Sequence, residues 1–148
     1  MYKRQAWFAF AASGSVPAVV ANTDPGPSGG ASTADKVTLA GANSGVAYVS
    51  NVPGDYTFSV WVRLISGDGD FAFNYYSALP NVDYLQAALA TTTWTRFTWT
   101  FSGDGDASSN VALMHDSTQS ATGVFEFFGA QLNPGTTCLL YTSPSPRD

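Results

Sequence analysis

Residues 56–65 alternate without a break. Tyr56, Phe58, Val60, Val62 and Leu64 fall on one side, and Thr57, Ser59, Trp61, Arg63 and Ile65 on the other. A period of two belongs to an extended strand. The first set is wholly apolar and is expected to face a core; the second is mixed and is expected to face solvent or a ligand. Residues 94–101 repeat the pattern, with Phe97, Trp99 and Phe101 pointing one way, as expected core, and Trp94, Arg96, Thr98 and Thr100 the other. Shorter runs at 6–12, 36–39, 45–50, 71–76, 111–114 and 123–128 predict further strands, and the last element ends near Leu132. Residues 84–89 fit either a strand or one helical turn.

Turn chemistry separates these runs. Residues 22–32 hold Asp24-Pro25-Gly26-Pro27-Ser28-Gly29-Gly30, a loop by composition. Val52-Pro53-Gly54-Asp55, Leu79-Pro80-Asn81 and Asn133-Pro134-Gly135 are also breaks. Ser66-Gly67-Asp68-Gly69-Asp70 and Ser102-Gly103-Asp104-Gly105-Asp106 are two copies of one turn motif, but the strands around them do not repeat, so no solenoid is implied. Roughly eight to ten short strands with Gly, Pro and Asp turns predict a two-sheet sandwich or a barrel. Abundant Thr, Ser, Gly and aromatics, with little Glu, Lys or Leu, point the same way.

The ends alter the charge count. Tyr2 to Gln5 back-translates as TAT AAG AGA CAG. Its reverse complement, shifted by one base, begins Cys-Leu-Leu-Tyr, which is how the tail from Cys138 begins. Both ends resemble a transposase-type sequencing adapter in frame. Residues 1–5 and 138–148 are therefore set aside, and 6–137 are expected to be one domain cut from a longer protein. Only Lys36, Arg63 and Arg96 then remain as basic residues against ten acidic ones, a net charge of minus seven. Such a chain offers no basic patch for nucleic acid or for an anionic membrane surface. Cys138 is the sole cysteine and lies in the tail, so neither a disulfide framework nor a thiolate nucleophile is expected. The apolar stretch 6–12 is too short to cross a membrane, and its likeness to a signal peptide depends on Lys3 and Arg4.

Four segments together carry a resemblance. They are Ala31-Ser32-Thr33-Ala34-Asp35-Lys36-Val37, Gly54-Asp55-Tyr56-Thr57-Phe58-Ser59-Val60-Trp61-Val62-Arg63, Thr93-Trp94-Thr95-Arg96-Phe97-Thr98, and Phe127-Phe128-Gly129-Ala130-Gln131-Leu132-Asn133-Pro134-Gly135. In order and spacing they resemble the jelly-roll carbohydrate-binding module of the family 4/9 type, closest to the modules in tail and fibre proteins of tailed phages. The resemblance spans nearly all of residues 20–135. It implies an all-β, two-sheet β-sandwich of jelly-roll topology that binds glycan without catalysis. The expected setting is a virion or extracellular protein, with a host-surface polysaccharide and other virion subunits as partners. The alternative is a purely structural virion domain that binds no sugar; a third is an accessory module beside a secreted hydrolase. Cellulase-attached members often carry paired aspartates in the last strand, where this chain has Phe128-Gly129-Ala130-Gln131. That departure argues against a plant polysaccharide and against the calcium site of some members.

Sugar recognition on a sheet face uses aromatics stacked on pyranose rings and forked polar contacts to hydroxyls. The candidates are Trp61 and Arg63, Asn74 and Tyr76, and Arg96 and Trp94. The plainer reading packs Trp61 under a loop, places Trp94 at the sandwich edge and pairs both arginines with nearby aspartates. For calcium, a hard cation taking oxygen ligands, the candidates are Asp24 and Asp35 flanking the long loop. Asp68, Asp70, Asp104 and Asp106 need no metal, because a turn aspartate bonds its own backbone. Catalytic signals are weak. His115-Asp116 is not a triad. Glu126, the only glutamate, lies between Phe125 and Phe127 and is expected to face solvent or an edge rather than to act with a second carboxylate.

Overall fold

The structure, a computed structural model, describes residues 7–12, 15–50, 52–78, 80–119 and 121–137. The two adapter-like ends lie outside them, as do Ala6, Ser13, Gly14, Asn51, Leu79 and Ser120 of the expected domain. Ten strands follow one another: β1 (Phe8–Ala11), β2 (Ala18–Pro25), β3 (Ser32–Leu39), β4 (Ser44–Val49), β5 (Pro53–Gly67), β6 (Asp70–Ser77), β7 (Val82–Leu89), β8 (Thr95–Asp104), β9 (Asn110–His115) and β10 (Gly123–Pro134). No helix long and apolar enough to cross a membrane occurs among the described residues.

The strands form two five-stranded sheets, ordered β1-β4-β9-β6-β7 and β2-β3-β10-β5-β8. All the pairings are antiparallel. Chain neighbours repeatedly part between sheets, as in a jelly roll. The expected all-β sandwich of jelly-roll topology is the fold observed.

Alternation decides what lies between the sheets. Phe58, Val60 and Val62 of β5 face Phe71, Phe73 and Tyr75 of β6, joined by Phe125 and Phe127 of β10 and Leu113 of β9. Phe73 meets Phe58 edge-on with ring centres 5.5 Å apart, and Phe71 meets Phe97 the same way at 5.2 Å. Such edge contacts add to the stabilisation from burying the rings. Phe101 is buried, and Phe97 and Trp99 pack against the core, so all three expected core residues of β8 are placed there.

One expectation is corrected and one open choice is resolved. Residues 22–32 do not form a loop throughout, because β2 runs on to Pro25 and β3 starts at Ser32. Asp24 and Pro25 enter the strand only through register shifts against β3, which is why turn-forming composition hid it. Residues 84–89 form a strand within β7, since pairing to β6 decides between two local options.

Candidate functional site

The six candidate ligand residues divide between opposite faces of the sandwich. Asn74 and Tyr76 lie on β6 and point away from the core. Trp61 and Arg63 on β5, Arg96 on β8 and Trp94 just before it lie on the outer face of the other sheet.

On the first face, the register sets Asn74 between Leu85 and Ala112, and Tyr76 between Asp83 and Asn110. Ala72 lies between Ala87 and Met114, and Ala47 opposite Ala112. Ala47, Ala72 and Ala112 are buried although they point outward, so taller side chains of the same face cover them. Gly45 is tightly packed as well, because a Cβ there would meet Leu113 O and Met114 Cβ at 2.5 Å. Asn74 is buried among them. Its Nδ2 donates to Asp83 Oδ1 at 2.8 Å and touches Met114 Sδ at 3.3 Å, while its Oδ1 has no hydrogen-bond partner. A buried amide oxygen without a partner costs stability. The Tyr76 hydroxyl donates to Asn81 Oδ1 at 2.7 Å, which fixes the ring.

One end of this face opens into a cleft of about 380 Å³ lined by Asp68, Asp70, His115 and Asp116, with Ala87 and Gln119 beside them. Asp116 accepts from the Thr118 amide and hydroxyl, which hold its carboxyl below the usual range. Burial pushes the His115 imidazole below its ordinary pKa, outweighing the nearby Gly41 and Asp70 carbonyls and the Asp68 and Asp116 charges.

On the other face both arginines are engaged. Arg63 stacks over Trp94 at 5.0 Å and Arg96 over Trp61 at 5.9 Å. Arg96 donates to Ser59 Oγ and Gln131 Oε1, both at 2.7 Å. A bulge between Phe128 and Gln131, with Gly129 at φ +60°, brings that glutamine into line. Arg63 Nε donates to Glu126 Oε2 at 2.5 Å. The arginines therefore find a glutamate, a serine and a glutamine in these bonds, where aspartates were expected.

Glu126 also departs from expectation, for it is fully buried and ion-paired rather than solvent-facing. Burial first, and then the Asp24 carboxyl beside it, raise its pKa against the pull of Arg63. A raised folded-state pKa means that this group's stabilising effect is complete below about pH 4.5 and is lost as pH climbs through the raised value. Glu126→Gln is expected to flatten that decline. Melting temperatures of wild type and variant between about pH 4 and 8 provide the check, and parallel curves would refute the assignment.

The two calcium candidates separate as well. Asp35 Oδ1 accepts from the Asn22 amide at 3.0 Å, while Asp24 lies against Glu126, whose counter-charge is already Arg63. No group of three or more His, Cys, Asp or Glu side chains suited to a metal ion occurs among the described residues.

Sequence reasoning missed Asp104. It accepts from the Tyr75 hydroxyl at 2.7 Å, Ser77 Oγ at 2.6 Å, Ser109 Oγ at 2.8 Å and the Asp106 amide at 2.9 Å. The carboxylate thus ties the end of β8 in one sheet to β6 in the other, and β6 carries Asn74 and Tyr76. Its only sequence signal was the repeated Gly-Asp turn.

No protein-family model and no curated protein sequence matches the chain. Solved structures do. A structure described as "CBM4 structure and function" superposes with a TM-score of 0.62 at 16% identity, covering 87% of this chain and 86% of that one. The CBM22-1 xylan-binding domain of Paenibacillus barcinonensis Xyn10C gives 0.64 at 14% identity, over 88% of this chain and 86% of that one. The enzymatically active domain of bacteriophage CBA120 tailspike protein 4 gives 0.57 at 11% identity, over 86% of this chain but 19% of that one. The chain has the jelly-roll fold shared by carbohydrate-binding modules.

Proposed function

We propose that the domain is a non-catalytic carbohydrate-binding module that takes a glycan along the outer face of the β1-β4-β9-β6-β7 sheet. The observation that carries this reading is the open cleft of about 380 Å³ at one end of this face, lined by Asp68, Asp70, His115, Asp116 and Gln119. An open cleft with a few fixed polar groups, and an aromatic ring further along the same face, suits a sugar chain. The cleft aspartates accept from sugar hydroxyls, Asp83 offers a further carboxylate and Tyr76 a ring with a fixed hydroxyl. The opposite face is the poorer choice, because its arginines are already bonded and already stacked on its tryptophans. The fold shared with carbohydrate-binding modules supports this reading, and the tailspike likeness supports a phage tail or fibre as its setting, with a host-surface polysaccharide as ligand.

The test is a glycan array of the full chain, with and without added calcium. Tyr76→Ala is expected to weaken binding about tenfold, the loss of roughly 1.4 kcal/mol expected for a stacking contact and its hydroxyl. Trp61→Ala is expected to leave binding within about twofold, as a residue off the contact surface does. The reverse pattern would move the site to the face of Trp61, Arg63, Arg96 and Trp94. A folded domain that binds nothing on the array would favour a structural virion role.

A further inference from the structure

We propose that β7 is a self-association edge, through which two copies of this chain pair antiparallel about a two-fold axis at Leu85. The strand bounds its sheet, and its register against β6 runs from Asp70↔Leu89 to Ser77↔Val82 without a bulge. Its free side leaves eight residues of backbone available for pairing. Val82, Tyr84, Leu85 and Leu89 are exposed, between 38% and 61%. A long, regular, apolar edge is what a protein ordinarily avoids presenting to water.

The other three edges carry protection. β1 has only four residues. β2 is broken by register shifts near Asp24 and Pro25. β8 turns Arg96, Thr98, Thr100 and Ser102 outward and has Gly103 near its end. β7 has no lysine, arginine, proline or glycine, and Asp83 is its only charge.

Antiparallel partners must share a face, so a two-fold axis has to pass through a residue. Centred on Leu85, the pairing sets Leu85 against Leu85 of the other copy, Tyr84 against Gln86, Asp83 against Ala87 and Val82 against Ala88. No like charges meet, and three of these pairs set a larger side chain against a smaller or flexible one. The result is one ten-stranded sheet. The clefts of both copies then lie on the same side of it, although the association itself does not depend on the glycan reading.

Sedimentation equilibrium of the full chain tests this register. The wild type is expected to dimerise. Leu85→Lys, which opposes two like charges on the axis, is expected to weaken the dimer by at least about tenfold. Ala87→Lys sets a lysine opposite Asp83 twice per dimer and is expected to tighten it several-fold, roughly the effect of two cross-strand ion pairs, whereas Ala87→Asp weakens it. Circular dichroism confirms that each variant is folded, and both Ala87 variants change an exposed position, so the pair remains informative if Leu85→Lys fails to fold. A wild type that stays monomeric up to about 1 mM, or a dimer on which the two Ala87 variants act alike, overturns the proposal.

Discussion

Phe73→Ala is expected to destabilise the domain by about 3–5 kcal/mol, the usual range for deleting a buried aromatic. Phe73 is almost completely buried and stands where the two sheets meet. It contacts Phe58 edge-on at 5.5 Å, Phe71 at 5.7 Å and Trp99 at 6.1 Å. Those neighbours are themselves held by strand pairing on both sheets, so the space cannot close by a small shift. A single domain typically has only about 5–15 kcal/mol to lose. The melting temperature should therefore fall on the order of 10–20 °C. Calorimetry of the variant against Val20→Ala, an exposed control on β2, provides the comparison. A fall no greater than the control's would mean that the described core is not the cooperative unit. Because Phe73 lies between Ala72 and Asn74, the variant should also lose ligand affinity.

Asp104→Ala is expected to be the most damaging change outside the apolar core. It deprives the buried Tyr75, Ser77 and Ser109 hydroxyls of their shared acceptor and removes the tie between the two sheets at that end. Buried donors without acceptors are costly, and a fall in melting temperature on the order of 10 °C is expected. The hydrogen bond from Ser77 leads the causes that hold the Asp104 carboxyl far below the usual carboxylate range, followed by those from the Asp106 amide and Tyr75. A depressed folded-state pKa gives stability that is present above the ordinary carboxylate value, about pH 3.8, and is lost as pH falls toward the folded one. Wild type should thus lose melting temperature steeply on acidification below about pH 4, while Asp104→Asn starts lower and falls less. Asp116, also depressed, leaves some slope in the variant. Equal acid slopes would show that this cluster does not form. The trend is opposite in sign to that from Glu126, and the two occupy separate pH ranges.

Much of the architecture was legible because strand periodicity is local. Alternation in residues 56–65 and 94–101 sorted inward from outward side chains, since a side chain on a pleated strand has only two directions to take; but Thr57 and Ser59, on the outward side, are buried beneath their neighbours and hydrogen-bonded there. The paired Gly-Asp motifs marked turns because their composition suits the backbone of a turn. The exceptions arose where local signals were ambiguous or misleading. Asp24 and Pro25 read as loop, yet a partner strand draws them into β2; residues 84–89 had no local preference until β6 paired with them. Glu126, lying mid-strand between Phe125 and Phe127, looked solvent-facing, but Arg63 on the adjacent strand and Asp24 beside it enclose the carboxylate.

The candidate site was less legible still. Sequence determined that Trp61 and Arg63 share a face, and separately that Asn74 and Tyr76 do, because each pair is two residues apart on one strand. It did not determine that β5 and β6, joined by a tight turn, belong to different sheets and so point these pairs to opposite sides of the sandwich. Strand order across the sheets decided that. It also brought Asp68, Asp70, His115 and Asp116 together around one cleft, and Asp104 within reach of Tyr75, Ser77 and Ser109. Direction along a strand is set by neighbouring residues, whereas what a side chain faces is set by whichever distant segment pairs beside it.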